Sequence, residues 1–397
     1  MAPRLQRVGR AEAHVHAWIL ATVAWSIFAC LAFWGAGERS RFGPLKWTDF
    51  VHFYTLGDLA RTGRPQLLYD SIGLYAHQVS LVPASAPERY FPVYAPQTAL
   101  IFAPLSRMPY LRAGALWAAL TLTVYLLSMQ AAWRPARHDI REWREVLIAS
   151  LAFPPLLQLL GHGQTTAVVL AAFVLGWMAL EKGRPVLAGL ALSLLTIKPQ
   201  FGLVLAVVAL VTRQRSMVAG VLAGVGLQVG LVSAVLGGSV FGAYLDALRQ
   251  LPAIASMLEP NPAKMYSLTA VSGLLPSPYA GVAWLIVSAI LVGMTVRVWR
   301  QTTSWRLRFG TLVLASFIVS PHATIYDATM LAPCLLWLGG ALADGRRDAS
   351  WYWQRVYWLF PATLLPTAAL IGIQAGPLVM AELFIRVASN VRSPDTP

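Results

Sequence analysis

Apolar residues run unbroken through stretch after stretch of this chain, at lengths near the roughly 20 residues needed to cross a bilayer. The runs fall at residues 16–36, 111–133, 146–160, 164–180, 185–197, 200–212, 216–236, 279–299, 309–321, 328–343 and 354–376. A final stretch at 377–388 reads as another span or as a surface helix. The pattern predicts an all-α polytopic membrane protein with roughly eleven transmembrane helices. Several runs are short, which predicts tightly packed helices or half-helices paired around a cavity. Composition agrees, with 57% hydrophobic residues, mean hydropathy +0.59 and 12% charged residues. A soluble enzyme carries about twice that charged fraction. The first run follows Arg4, Arg7 and Arg10, as a cleaved signal peptide would. Its apolar core is longer than a signal peptide's, and further spans follow, so a retained helix is favoured. No fixed-period repeat and no boundary for a soluble domain is visible, and residues 1–397 read as a single integral membrane domain.

The formal net charge of +14 raises the question of a nucleic-acid partner, and its placement argues against one. Twenty of the 31 Lys and Arg lie in residues 1–10, 134–144, 181–184, 213–215, 297–308, 345–355 and the C-terminal tail. Those are the connections expected on the cytoplasmic side, and basic excess there sets orientation. The N-terminus is therefore expected in the cytoplasm and the chain in the plasma (inner) membrane, as a multi-pass protein. Cys30 and Cys334 both fall inside apolar runs, which argues against a disulfide or a metal site.

On that topology residues 37–110 form one large extracytoplasmic loop, too rich in aromatics and prolines for a flexible linker. Within it, residues 49–62 place Phe50, Phe53, Tyr54, Gly57 and Ala60 on one side, with Asp58 and Arg61 away from it. This spacing predicts an amphipathic helix lying flat on the bilayer, closed by Gly63.

Candidate chemistry concentrates at the same face. The clusters are TDFVHFY with Tyr69-Asp70, FPVYAPQ (Phe91 to Gln97), GHGQ (Gly161 to Gln164), IKPQ (Ile197 to Gln200) and SPHATIYD (Ser320 to Asp327). Each is weak alone, and their convergence is the stronger signal, because a site needs several polar groups around one cavity. Carboxylates are scarce, 17 Asp and Glu in all, so Asp49 at a membrane surface stands out. From the residues alone, a helix cap and a general base are evenly matched for it. Asp58, three residues before Arg61, reads as a solvated helix pair. Asp70 can terminate a turn. Lys198 has no Asp or Glu near it in sequence, and a Lys between apolar runs is costly unless it meets an anion; the bland reading is a snorkelling side chain. Asp327 can cap the helix after it, and Gly161 and Gly163 can serve helix packing. Arg89, Tyr90 and Tyr94 can line a site or anchor at the interface. No phosphate-binding glycine loop, metal-ligand pair or serine-nucleophile motif is present.

An Asp in the first external loop, then Leu-Tyr-Asp, an aromatic-Pro-Tyr-x-Pro element before a Pro-Leu turn, a Gly-Gln pair, and Lys-Pro after a short helix resemble glycosyltransferase family 87. These are polyprenyl-phosphate-mannose-dependent enzymes of the GT-C superfamily. The resemblance spans about Trp47 to Leu338. It implies a GT-C fold and an inverting transfer of a sugar, usually mannose, from a polyprenyl phosphate carrier to a glycan or glycolipid acceptor. The transfer is expected on the extracytoplasmic face, without an essential metal or other cofactor. It further implies Asp49 as catalytic base, Lys198 and His322 against donor phosphate, and Asp70, Arg89, Tyr94, His162, Gln164, Tyr326 and Asp327 around sugar or acceptor. The expected partners are a lipid-linked sugar donor, the acceptor and membrane lipid. The rival reading is a transporter or flippase for a lipid-linked or anionic solute, since a Lys at a helix break also suits a transport site. Polar clusters lining a cleft beneath the first loop would favour the transferase.

Overall fold

In the computed structural model the described residues are 10–136, 142–258, 264–344, 350–364 and 374–391. They are helical throughout, with two isolated β-bridges and no strand. Helix α1 (Arg10–Phe33) leads into the loop region, which holds α2 (Phe50–Arg61), α3 (Ser71–Leu81) and α4 (Gln97–Phe102). Then come α5 (Tyr110–Ala136), α6 (Trp143–Ala152), α7 (Pro154–His162), α8 (Thr166–Glu181), α9 (Pro185–Leu192), α10 (Leu203–Val211) and α11 (Arg215–Leu236). The rest are α12 (Ser239–Leu258), α13 (Thr269–Ser272), α14 (Tyr279–Gln301), α15 (Trp305–Ile318), α16 (Leu331–Asp344), α17 (Ser350–Leu364) and α18 (Ala375–Ser389).

Each of the eleven expected runs carries helix, although part of the run 354–376 lies outside the described residues. By length and apolarity, five helical stretches suffice to cross a membrane alone: Glu12–Phe33, Tyr110–Ala136, Arg215–Leu236, Tyr279–Gln301 and Ile325–Leu342. The pair α6 and α7, bent by 57°, adds a sixth when taken as one broken span and is otherwise a re-entrant loop. The bend has a local cause: Pro154 and Pro155 hold Phe153 extended and restart the helix at a position where no N–H is needed. Eleven spans are reached only if short helices such as α8, α9 and α10 also count singly.

The core lies where α5, α8, α15 and α16 meet, with the Trp177 ring tilted against Trp337 at 5.0 Å and Phe309 buried beside them. Close approach of α9 and α11 depends on glycine. A Cβ on Gly189 would run into the Met217 carbonyl, and one on Gly220 into the Val186 carbonyl. Such small-residue contacts are how helices associate in lipid. Gly189→Val is expected to destabilise the protein by about 1–3 kcal/mol through overpacking, read as a lowered unfolding temperature in detergent.

The loop region is where the sequence expectation needs correction. Helix α2 does not lie flat on a surface: Phe50 to Leu59 are all buried. Gly57 is why it fits, since a Cβ there would come within 2.5 Å of the Phe102 carbonyl of α4. Nor is Asp58 solvated. It is 3% exposed, paired with Arg61 and with His77 of α3 at 2.9 Å, and Arg64 lies 3.7 Å away. The predicted closure does form at Gly63, whose N–H reaches the Ala60 carbonyl. Leu56, Leu59, Leu68 and Leu74 continue the packing onto Val232 and Leu236 of α11. The loop is thus a folded cap seated on one end of the helical bundle.

Candidate active site

The peptide entering α2 is fixed before Asp49 is reached. Trp47 takes a left-handed backbone conformation, φ 51°, uncommon for a bulky residue. It is held there by Tyr110, whose hydroxyl donates to the carbonyls of Lys46 and Trp47 at 2.6 and 2.9 Å. The Trp47 ring lies flat against Gly114, where a Cβ would meet it at 2.9 Å. From the other side comes the turn closing α7. Gly163, at φ 69°, leaves room for Phe50, and its carbonyl accepts from the Trp117 indole at 3.0 Å. The Asp49 N–H donates to the His162 carbonyl at 3.0 Å. The first-loop Asp and the Gly-Gln turn, over a hundred residues apart in sequence, are therefore bonded to each other.

Asp49 occupies the N-cap position of α2, yet its side chain accepts no capping bond. Its Oδ2 instead accepts from the Gln164 amide at 2.7 Å, while the Tyr90 hydroxyl, 3.4 Å from its Oδ1, donates to the Thr48 carbonyl at 2.7 Å. Tyr94 donates to the Gln164 carbonyl oxygen at 3.1 Å, fixing which way the amide points. Tyr69 in turn donates to the Tyr94 backbone at 2.8 Å. Burial, together with the Asp49 charge, pushes the Tyr90 and Tyr94 phenols well above their ordinary pKa, so both stay protonated donors. The carboxylate is half-buried and keeps acceptor capacity on Oδ1.

A second group faces it across His162 and Tyr326, whose rings lie 5.6 Å apart. Lys198, in the break between α9 and α10, donates to Asp327 at 2.6 Å and to Thr166 at 3.1 Å, with the Tyr326 ring 5.0 Å away. Thr166 also donates to Asp327 at 2.6 Å. The second Asp327 oxygen accepts from the Thr324 N–H and hydroxyl, so Asp327 does take part in a cap, at the start of the 3-10 turn Ile325–Met330 in which it lies rather than of the helix after it. The anion that Lys198 was expected to require is thus a carboxylate of the same chain. The side chains of Lys198 and Asp327 are 4% and 1% exposed. The sequence offered a phosphate for that anion; the structure shows Asp327 in contact with Lys198.

The fold gathers Asp49, Tyr94, His162, Gln164, Lys198, Tyr326 and Asp327, and His322 lies on the short segment leading to Tyr326. It does not gather Asp70, which caps α3 by accepting from the Ile72 N–H at 3.1 Å. Nor does it gather Arg89, exposed and stacked 4.2 Å over the Tyr75 ring. Thr166 was missed; its only signal is a hydroxyl two residues after Gln164. Among the described residues no three His, Cys, Asp or Glu side chains stand close enough to share a metal ion.

His52 was also missed as a site neighbour. It is 2% exposed, between the rings of Tyr90 (5.3 Å) and Tyr94 (5.7 Å), and neither ring nitrogen has a partner among the described residues. Burial pushes its pKa down to about 3. Between that value and the ordinary value of about 6.5, the unfolded chain binds a proton that the folded chain refuses. The stability this neutral imidazole allows is complete above pH 6.5 and is lost as pH falls, by about 3 kcal/mol two pH units lower. His52→Phe is expected to remove that acid sensitivity, measured as unfolding temperature against pH, and to leave activity at neutral pH in place.

The described residues are helical, and several of their helices are long and apolar enough to cross a membrane. The sequence model of glycosyltransferase family 87 matches residues 91–321, more than half of the chain, and the protein belongs to that family. The match takes in Tyr94, His162, Gln164 and Lys198. No curated protein and no solved structure gives a match.

Proposed function

We propose that the protein transfers a sugar, mannose in the first instance, from a polyprenyl phosphate to an acceptor hydroxyl at the extracytoplasmic face, with inversion. The observation that carries this is the Asp49 carboxylate, free of the capping role and oriented by Gln164. Asp49 takes the acceptor's proton as the acceptor oxygen bonds to the anomeric carbon. The bond from that carbon to the phosphate oxygen breaks, and its electron pair leaves on the polyprenyl phosphate. Tyr94 and Gln164 are placed to orient sugar hydroxyls. Charge growing on the phosphate is stabilised from the Lys198 side, helped by His322. Because Lys198 is bonded to Asp327, it serves the phosphate by sharing that partner or by exchanging it. No resident metal or cofactor enters this scheme. The donor lipid reaches the site sideways between helices, and the cluster's position under the first loop favours transfer over transport.

The test is the purified chain in vesicles with synthetic polyprenyl-phosphate-mannose, its pentose counterpart, and candidate glycan acceptors. Equal amounts of free polyprenyl phosphate and glycosylated acceptor are expected. Intact donor crossing the bilayer without release would reverse the reading in favour of a flippase.

A further inference from the structure

Two of the basic connections singled out in the sequence, residues 213–215 and 297–308, meet in space. Between them lies a cavity of about 480 Å³ lined by Arg213, Arg300 and Arg308, with Gln214 and Trp299. It sits at the far ends of α10 and α15 from Lys198 and Ser320. At 1.5 Å rise per residue that is about 13–21 Å from the catalytic cluster. No Asp or Glu lines it.

The arginines are not used up by the protein. Arg300 donates to the Val211 carbonyl at 3.3 Å. Arg308 lies over the rings of Trp305 (4.6 Å) and Trp299 (5.8 Å), and its buried Nε has no hydrogen-bond partner among the described residues. Two indoles thus hold a guanidinium in place and leave its buried Nε unanswered, a costly state for a buried polar group.

Arg213 gives an independent sign. The end of α10 closes with the Gln214 N–H on the Ala209 carbonyl and the Arg213 N–H on the Leu210 carbonyl. That closure needs a left-handed residue. The same closure after α2 uses Gly63 and after α8 uses Gly183, yet here Arg213 stands at φ 56°. A side chain in that conformation costs about 1–2 kcal/mol. An arginine kept where glycine is easier, on the rim of a cavity with two further arginines, points to a function for its charge.

We propose that this cavity is an anion site that takes a phosphate group, the headgroup phosphate of an anionic phospholipid. Arginine suits phosphate through its planar fork of donors, and Arg215–Leu236 and Tyr279–Gln301, which begin and end beside the cavity, are long and apolar enough to span a membrane, which puts lipid headgroups at hand. The site is separate from the donor phosphate of the transfer reaction.

The experiment is native mass spectrometry of the full chain released from detergent, titrated with phosphatidylglycerol, phosphatidylcholine or inorganic phosphate. One saturable phosphatidylglycerol adduct is expected, with none from phosphatidylcholine. Arg213→Gly should weaken it about tenfold, the loss of one charge-assisted contact, while its unfolding temperature without lipid stays level or rises. Arg308→Gln should weaken binding at least as much. Arg249→Gln, which removes an exposed arginine paired with Asp246, should change nothing. Saturable inorganic phosphate with the same dependence on Arg213 would support the site and assign it to a free phosphate. Absence of any saturable adduct, or equal loss with Arg249→Gln, would overturn the proposal; Arg213→Gly keeps the test open even if Arg308→Gln misfolds.

Discussion

Asp49→Asn should lower the rate of sugar transfer by about 10²–10⁴-fold, the range a positioned general base supplies. Asparagine has the same shape, and its carbonyl oxygen can still accept from the Gln164 amide that now reaches Asp49 at 2.7 Å. Because the side chain makes no capping bond to α2, the substitution should leave the unfolding temperature near that of the unaltered protein. What disappears is the basic oxygen on the Tyr90 side. The measurement is release of polyprenyl phosphate per unit time beside thermal unfolding of the same preparation. Full turnover by a folded Asp49→Asn protein would remove Asp49 as the base. Neither Asp58, locked among Arg61, Arg64 and His77, nor Asp70, spent on the cap of α3, is placed to replace it.

Lys198→Met should destabilise the protein by about 3–5 kcal/mol, because it leaves the Asp327 charge buried without its partner. The structure gives Asp327 1% exposure and puts Lys198 and Thr166 on one of its oxygens. A lysine used solely as a phosphate ligand would give a different result, a stable fold with weakened donor binding. The double variant Lys198→Met/Asp327→Asn separates the two roles. It removes both charges together, and the asparagine oxygen can keep the bond from the Thr324 N–H that closes the cap. Most of the lost stability is expected to return. If donor turnover stays low in that restored protein, Lys198 acts on the leaving phosphate as well as on Asp327. If turnover returns with stability, its role is to hold the site together. Chemical unfolding in detergent together with donor KM and kcat reads both effects.

Asp49 and the Gly-Gln turn were legible because chemistry at a membrane surface stands out against so apolar a background. That the Asp49 side chain makes no capping bond was not, since this depends on where one side chain turns, and Gln164 holds it from 115 residues away. Asp58 and α2 were misread for a related reason. Helical spacing marked an apolar face, but a buried ionic cluster with His77 covers the polar face too. Local spacing records which residues share a side of a helix, and cannot tell water from a second element packed there.

The sequence by itself determined the helical, membrane-embedded class of the protein, its family, and a short list of candidate site residues. Hydropathy and local breaks such as Pro154 act within a few turns of chain, so they are written in neighbouring residues. Only the tertiary structure decided that Lys198 meets Asp327, 129 positions away, that Asp70 and Arg89 stay outside the site, and that two basic turns close around one cavity. Those pairings arise from how helices pack, and packing joins residues that share no local pattern.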